Sequence, residues 1–252
     1  MLEHITPIII TYNEIDNIER TLKALAWAKK IIIIDSFSDD GTVEFCSQQS
    51  NITLIQRAFD NFANQCNFAL EQLSDDEWAL SLDADYIVTE QFIEEVKSLS
   101  PTSTTAGFKA SFIYAIDGHK LPGSLYPPRT VLYQRKFAQY QQDGHAHRVA
   151  ISGKVNTLTG KIIHDDRKPH ERWLASQYSY ALKEKQKILN TAFSDLSWTD
   201  KVRRIPCLAP VLVTPYLLFF KGLIFSGKPG LTYVKQRLIA EWVLQKTLLF
   251  SR

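Results

Sequence analysis

Two aspartates one residue apart, Asp83 and Asp85, follow directly on the apolar run Trp78-Ala79-Leu80-Ser81-Leu82. A short apolar run bounded by polar residues reads as a buried strand, and ligands bind at the carboxyl ends of strands in open α/β sheets. Two carboxylates this close repel each other unless a cation lies between them, and a hard ion such as Mg²⁺ or Mn²⁺ takes oxygen ligands. The chemistry on offer is a metal ion holding a phosphate. An Asp-rich surface turn is the other reading of such a triplet taken alone. Two more apolar runs end in acids: Thr11-Tyr12-Asn13-Glu14 follows the first, and Asp35 follows Ile31-Ile32-Ile33-Ile34. In a parallel sheet these ends lie side by side, where like charges and desolvation both oppose ionisation. A nucleotide base, a ribose and a metal-bound diphosphate would each satisfy some of these groups.

The elements that must position them follow from the apolar pattern. The first hundred residues alternate apolar runs with helical patterns, as βαβ units do. Residues 7–11, 31–34, 52–55 and 78–82 read as four strands. Asn13 is expected to cap the helix after the first strand, with Asp16 near its amino end and Ile18, Leu22 and Leu25 on its apolar face. Residues 64–73 read as a second helix, and Thr89 as the cap of a shorter one that buries Phe92, Ile93 and Val96. Residues 108–114 alternate as a strand, Asp117-Gly118 signals a hairpin turn, and short strands are expected around Val131 and Val149. Residues 171–192 read as a long helix. The class is α/β.

A chain of 252 residues with 45% hydrophobic side chains is long enough to bury a substantial core. Cys46, Cys66 and Cys207 lack metal-ligand spacing, which argues for a reducing compartment and against a disulfide framework. The first residues lack the basic and apolar segments of a secretory signal, so a cytosolic location is expected. Net charge is only +2, yet residues 1–100 carry 18 acids and 6 bases while residues 201–252 carry 1 and 9. Residues 205–220 are uncharged and contain Pro206, Pro210 and Pro215, which disfavour a straight membrane span. A break at Lys228-Pro229-Gly230 and a second helix are expected to follow. The basic, apolar tail reads as a helical hairpin in the interface of an anionic membrane, with a buried helix pair or a dimer contact as alternatives. Its aromatics sit within apolar runs and not between basic residues, which speaks against nucleic acid.

The successive segments Thr11-Tyr12-Asn13-Glu14, Asp35-Ser36-Phe37-Ser38-Asp39-Asp40-Gly41-Thr42, Gln65-x-Asn67-x-Ala69-Leu70 and Asp83-Ala84-Asp85 resemble, in order and spacing, the motifs of family 2 glycosyltransferases with the GT-A fold. Residues 143–173 and the tail are similar to a bacterial branch that builds lipopolysaccharide core or other lipid-linked surface glycans. The resemblance implies a Rossmann-like mixed sheet flanked by helices, a nucleotide-sugar donor, a glycan or glycolipid acceptor and a divalent metal. Glu14 would lie near the ribose, with Thr11 beside it in the same motif. Asp35 would accept a hydrogen bond from the base, as expected for a uridine diphosphate sugar. Asp83 would contact ribose or diphosphate, and Asp85 would hold the cation. Gln65 and Asn67 read equally as exposed helix positions.

Family 2 enzymes invert at the anomeric carbon, so the resemblance also calls for a general base at the acceptor hydroxyl. Asp143, in Asp143-Gly144-His145-Ala146-His147-Arg148, is the first choice, and Asp165 and Asp166 compete with it. His164 is assigned to the metal or diphosphate, with Arg167 and Lys168 offering positive charge to phosphate. A hydrolytic zinc site of His145, His147, His164 and His170 with Asp165 or Asp166 is the weaker reading. Tyr86 stands where many relatives carry another acid, Cys66 where they often carry a base, and His147-Arg148 replaces a His-Glu pair. The organisation expected is a nucleotide-sugar half over 1–100, an acceptor and catalytic half over 101–192, and a membrane-association region over 193–252, peripheral to the inner face of the cell membrane. A nucleotidyltransferase on a related sheet and a non-catalytic membrane scaffold are the alternatives. The first is disfavoured by Tyr12-Asn13-Glu14 where a glycine-rich basic loop would stand.

Overall fold

Isoleucine runs build the centre of the sheet, because β-branched side chains suit a pleated surface buried on both faces. The structure, a computed structural model, describes residues 1–102, 104–143 and 146–250, and only the backbone of Gln142, Asp143, Ala146 and His147. In chain order the elements begin with β1 (Ile5–Thr11), α1 (Ile15–Ala24), β2 (Ile31–Asp35), α2 (Thr42–Ser47), β3 (Ile52–Gln56), α3 (Phe62–Glu71) and β4 (Trp78–Asp83). They continue with β5 (Tyr86–Val88), α4 (Glu90–Ser98), β6 (Thr105–Ala110), β7 (Phe112–Ile116), β8 (His119–Lys120) and β9 (Arg129–Gln134). Then come β10 (Ala138–Asp143), β11 (Ala146–Ile151), β12 (Lys154–Thr157), β13 (Ile162–His164), α5 (His170–Asn190), α6 (Trp198–Arg204), α7 (Leu208–Pro215) and α8 (Gly227–Phe250).

Two units result, one of Met1–Tyr114, Tyr126–Gln142 and His147–Arg167, the other of Ala115–Leu125, Asp143–Ala146 and Lys168–Arg252. The first unit holds a seven-stranded sheet in the order β12-β6-β9-β4-β1-β2-β3. Strands β4, β1, β2 and β3 run parallel, and β9 is antiparallel to both its neighbours. The two-residue period of the strands splits the isoleucines between two cores. Ile9, Ile31 and Ile33 pack with Ile18 and Leu25 of the α1 region and with Phe92 and Val96 of α4. Ile8, Ile32 and Ile34 pack with Ala63, Cys66, Ala69 and Leu70 of α3 on the other face.

The alternating stretch 108–114 is not one strand. It divides at Ser111, whose carbonyl accepts from Ile162 N at 3.1 Å. β6 stays in the large sheet, while β7 pairs with β13, which also pairs with β5. Alternation specifies a strand but not its partner, so the switch of sheets leaves no local mark. The Asp117-Gly118 turn forms as expected, with φ of 50° and 83°, the pair of positive values a tight hairpin needs. Asn13 does not cap α1. It sits at φ 55° outside the helix, Glu14 takes the cap position, and no side chain caps it. α3 begins two residues before the expected start, because Asn61 accepts from Asn64 N at 2.9 Å. Thr89 caps α4 by accepting from Phe92 N at 3.2 Å.

In the second unit, Ala181 and Ile188 of α5 pack against Val243 and Leu244 of α8. Arg203 pairs with Glu241 across α6 and α8, with its Nε 3.0 Å from Glu241 Oε2, and Gln245 Nε2 donates to the Arg203 carbonyl at 2.6 Å. The break in the tail falls earlier than Lys228-Pro229-Gly230. A π turn over Tyr216–Phe220 and a 3₁₀ turn over Leu223–Ser226 make it, with Gly222 at φ 70°. Lys228, Pro229 and Gly230 form the first turn of α8, where proline's missing N–H leaves no hydrogen bond unmade. Among the described residues no single helix is long and apolar enough to cross a membrane, and the segments Leu208–Phe220 and Leu223–Phe250 meet at 73°.

The loop before β13 is clamped onto α4 by Glu95, which accepts from Gly160 N at 2.6 Å and Thr159 N at 3.0 Å. A Cβ on Gly160 would stand 2.5 Å from Phe92 Cα, backbone that cannot swing aside. Gly160→Ala is expected to destabilise the protein by about 1–3 kcal/mol, as urea unfolding of the full chain would show. An unchanged midpoint would mean the loop lifts away freely.

Candidate functional site

Register brings the strand ends into line. Thr11 pairs with Asp35 across β1 and β2, and Ile10 with Asp83 across β1 and β4. Asp35 is 0% exposed, so its charge needs donors. Thr11 Oγ1 donates to its Oδ2 at 2.8 Å, Ser38 Oγ donates to the same oxygen at 2.5 Å, and Ser38 N donates to Oδ1 at 2.8 Å. Ser38 Oγ in turn accepts from Asn13 N at 2.8 Å, and Asn13 and Asp39 exchange two bonds of 2.8 and 2.9 Å. These bonds hold Phe37 at φ 61°, an uncommon conformation for a side chain of its size. Asp40 completes the joint. It accepts from Ile15 N at 3.1 Å, Thr42 N at 3.0 Å and Thr42 Oγ1 at 2.6 Å. Burial pushes the Asp40 carboxyl up, and those hydrogen bonds outweigh it, so its pKa lies below the ordinary value.

Neither Gln65 nor Asn67 is an exposed helix position. Gln65 is fully buried, donates from Nε2 to Ser36 Oγ at 3.0 Å, and accepts from Arg57. Asn67 clamps β10 by donating to the Tyr140 carbonyl at 3.0 Å and accepting from Tyr140 N at 2.8 Å.

Beyond β4 the chain turns into β5, which pairs antiparallel with β13 so that His164 lies opposite Tyr86. That pairing sets His164 Nε2 3.2 Å from Asp85 Oδ2, both side chains being nearly buried. The imidazole is oriented by rings, with centroids 4.5 Å from Tyr126, 4.7 Å from Tyr114 and 5.3 Å from Tyr86. Its buried Nδ1 has no hydrogen-bond partner among the described residues, while the Asp85 carboxylate, an acceptor only, faces Nε2 and takes a hydrogen bond from it. Asp83 faces Arg129 at 3.9 Å, and Arg129 lies over the Tyr126 ring at 5.2 Å. Burial opposes the charge of Arg129, and the phenol oxygens of Tyr86 and Tyr126 with the Asp83 carboxylate outweigh it, raising its pKa. Burial first and Asp83 next push the hydroxyls of Tyr86 and Tyr126 up, so both stay neutral and hydrogen-bond to each other.

Helix α1 ties these pieces together. Thr21 Oγ1 donates to the Ala84 carbonyl at 2.6 Å. Arg20 donates to Asp165 Oδ2 at 2.6 Å, and Arg167 meets the same carboxylate at 3.0 Å. Asn17 donates to Glu14 at 3.0 Å and to Asp166 at 3.1 Å, and accepts from Arg20 at 2.7 Å and Arg167 N at 2.9 Å. Asp165 is thus a buried ion-pair partner within the scaffold. Asn17, Arg20, Tyr126 and Arg129 escaped notice in the sequence. Local pattern offered no signal for Asn17 and Arg20, whose partners Asp166 and Asp165 lie 149 and 145 residues along the chain. Asp143 lies at the end of β10, and its side chain is outside the described residues, as are Gly144 and His145. His170 stacks on Trp173 in the second unit, and among the described residues no three His, Cys, Asp or Glu side chains gather to hold a metal.

The family model of glycosyl transferase family 2 matches residues 6–153, from β1 to the turn after β11. The chain belongs to glycosyl transferase family 2. Its mixed sheet flanked by helices is the GT-A architecture expected of that family. An uncharacterized glycosyltransferase of Rickettsia felis is 27% identical over 169 residues, 64% of this chain and 59% of the relative. One from Rickettsia conorii is 25% identical over 170 residues, 64% of this chain and 60% of the relative. The chain spans about three-fifths of the length of these curated relatives. Among solved structures, GalNAc-T7 with UDP, GalNAc and Mn²⁺ is 13% identical with a TM-score of 0.37, over 63% of this chain and 30% of that one. The 4-diphosphocytidyl-2C-methyl-D-erythritol synthase is 10% identical with a TM-score of 0.40, over 53% and 76%. The family match takes in Glu14, Asp35, Asp83 and Asp85 and stops before His164.

Because the folded pKa of Asp40 is depressed, its contribution is complete above the ordinary carboxylate pKa and is lost as pH falls through the folded value. Asp40→Asn is expected to lower stability at neutral pH and to lose less than the parent on acidification below about pH 4. Parallel acid limbs in thermal melts of the two proteins would remove Asp40 from the joint.

Proposed function

We propose that this family 2 glycosyltransferase moves a sugar, with inversion, from a nucleoside diphosphate donor to the hydroxyl of a glycan acceptor. The pairing of Asp85 with His164 at the end of β4 carries this reading. Their separation of 3.2 Å suits two neighbouring ligands of one small divalent cation, whose bonds of about 2.1 Å at a right angle span about 3 Å. A carboxylate with an imidazole that would release its Nε2 proton on metal binding is a donor set that Mn²⁺ accepts, and such ions take their remaining positions from water and substrate phosphate. When bound there, the cation supplies charge neutralisation for the departing diphosphate.

The chain's own residues do the rest. Thr11, Asp35 and Gln65 shape the loop against which the nucleoside lies, Glu14 stands beside the ribose, and Asp83 with Arg129 borders the diphosphate. Asp143 takes the proton of the attacking hydroxyl. Support for uridine as the nucleoside is the resemblance of the Asp35 segment alone. Support for a lipid-linked or lipopolysaccharide-type acceptor at the cytosolic membrane face is the apolar surface of the second unit. The nearly buried Asp165, paired with Arg20 and Arg167, is poorly placed to accept a proton, which favours Asp143 as base.

A screen of nucleotide sugars for thermal stabilisation with and without Mn²⁺ is the direct test, since a ligand of the folded state raises its melting temperature. A donor is expected to stabilise the parent only with metal, and Asp85→Asn and His164→Ala to abolish the metal-dependent part and cut transfer by about 10²–10³-fold. Asp143→Asn should leave the stabilisation intact and cut transfer by about 10²–10⁴-fold. Metal-independent stabilisation of all variants would overturn the Asp85 and His164 site, and full activity of Asp143→Asn would overturn the base.

A further inference from the structure

The second unit carries an apolar surface that takes no part in donor binding. From α7 through the π turn the helix is apolar all round, yet only one side is covered. Ala209, Val213 and Leu217 are buried at helical spacing, while Leu212, Tyr216 and Phe220 face solvent one step round the helix. A helix apolar on every face belongs in a core or in lipid. At the bend the exposure becomes extreme, with Phe219 65%, Phe220 83% and Phe225 91% exposed. Large aromatic side chains left this exposed are the kind of surface that marks an interaction site.

Charge selects the occupant. Between Asp200 and Glu241 the chain has seven basic residues and no acid. Arg203 is neutralised by Glu241 within the unit. Lys221 follows the exposed phenylalanines directly, its Nζ 5.7 Å from the Tyr216 ring, and Arg204 and Lys228 lie just before and after the apolar segment. A second copy would bring the same basic rim against itself. An anionic bilayer offers opposite charge at the level of the lysines and hydrocarbon below it. We propose that the bend between α7 and α8 docks on an anionic lipid surface, with Phe219, Phe220 and Phe225 entering the acyl boundary and Lys221 and Lys228 at the headgroup phosphates. The 73° bend suits a wedge that enters one leaflet. This inference deepens the proposed membrane-face acceptor, and metal-dependent donor binding can hold or fail independently of it.

Co-sedimentation of the full chain with phosphatidylcholine vesicles, with and without phosphatidylglycerol, tests it. Binding is expected only with phosphatidylglycerol and is expected to fall with salt. Phe220→Ser with Phe225→Ser should weaken it about tenfold or more for each residue, and Lys221→Gln with Lys228→Gln about fivefold for each. Phe220, Phe225 and Lys228 are exposed, and Lys221→Gln keeps most of its half-buried stem, so all variants should melt with the parent and keep the same donor-induced shift. Equal binding by the serine variant and the parent, or no binding by either, overturns the proposal. So does a concentration-dependent dimer, seen by light scattering without lipid, that the serine variant abolishes.

Discussion

Parallel strands β4, β1 and β2 finish side by side, and each finishes in or beside a carboxylate. Backbone register leaves no freedom to spread Asp35, Asp83 and Asp85 apart, so every charge must be met where it stands. Asp35 is met by two hydroxyls and a backbone amide, which folds the loop after β2 around it. Asp83 is met by Arg129 and Asp85 by His164, both brought from strands distant in the chain. Much of the unusual backbone in this half, Asn13 and Phe37 in left-handed conformation and Gly41 at φ 100°, lies in the loops these bonds tie.

The same demand explains the weight placed on one face of α1. Its apolar side holds Ile18 in the core, and its polar side presents Asn17, Arg20 and Thr21 to the segments after β4 and β13. A single helix thus positions Ala84 through its carbonyl and Asp165 through its carboxylate. The positioning groups are themselves nearly buried, as a preorganised site requires, since charges held in place need no rearrangement when a ligand's charge develops.

The helical unit is organised by a different constraint. Its buried polar groups, Asp200, Arg203, Glu241 and Gln245, satisfy one another between α6 and α8. Its apolar residues are divided between a modest core of α5 against α8 and the uncovered faces of α7 and the bend. Those uncovered phenylalanines are the surface on which the proposed lipid contact rests.

Local pattern determined a large part of this protein. Apolar runs at residues 7–11, 31–34, 52–55 and 78–82 mark the four parallel strands to within two residues, and Thr89 and Asp117-Gly118 mark a helix start and a turn, because each depends on neighbours a few positions away. The acids at the strand ends and the uncharged tail were visible for the same reason. Only the tertiary structure decided that residues 108–114 divide between two sheets, that Asn13 joins loops instead of capping a helix, and that the tail bends at Lys221–Ser226 in advance of its proline. It alone set His164 beside Asp85, 79 residues away, and made Asn17 the meeting point of Glu14, Asp166 and Arg167. Strand partners and buried counter-charges are fixed by the register and packing of segments far apart in the chain, and no local preference encodes which of them will meet.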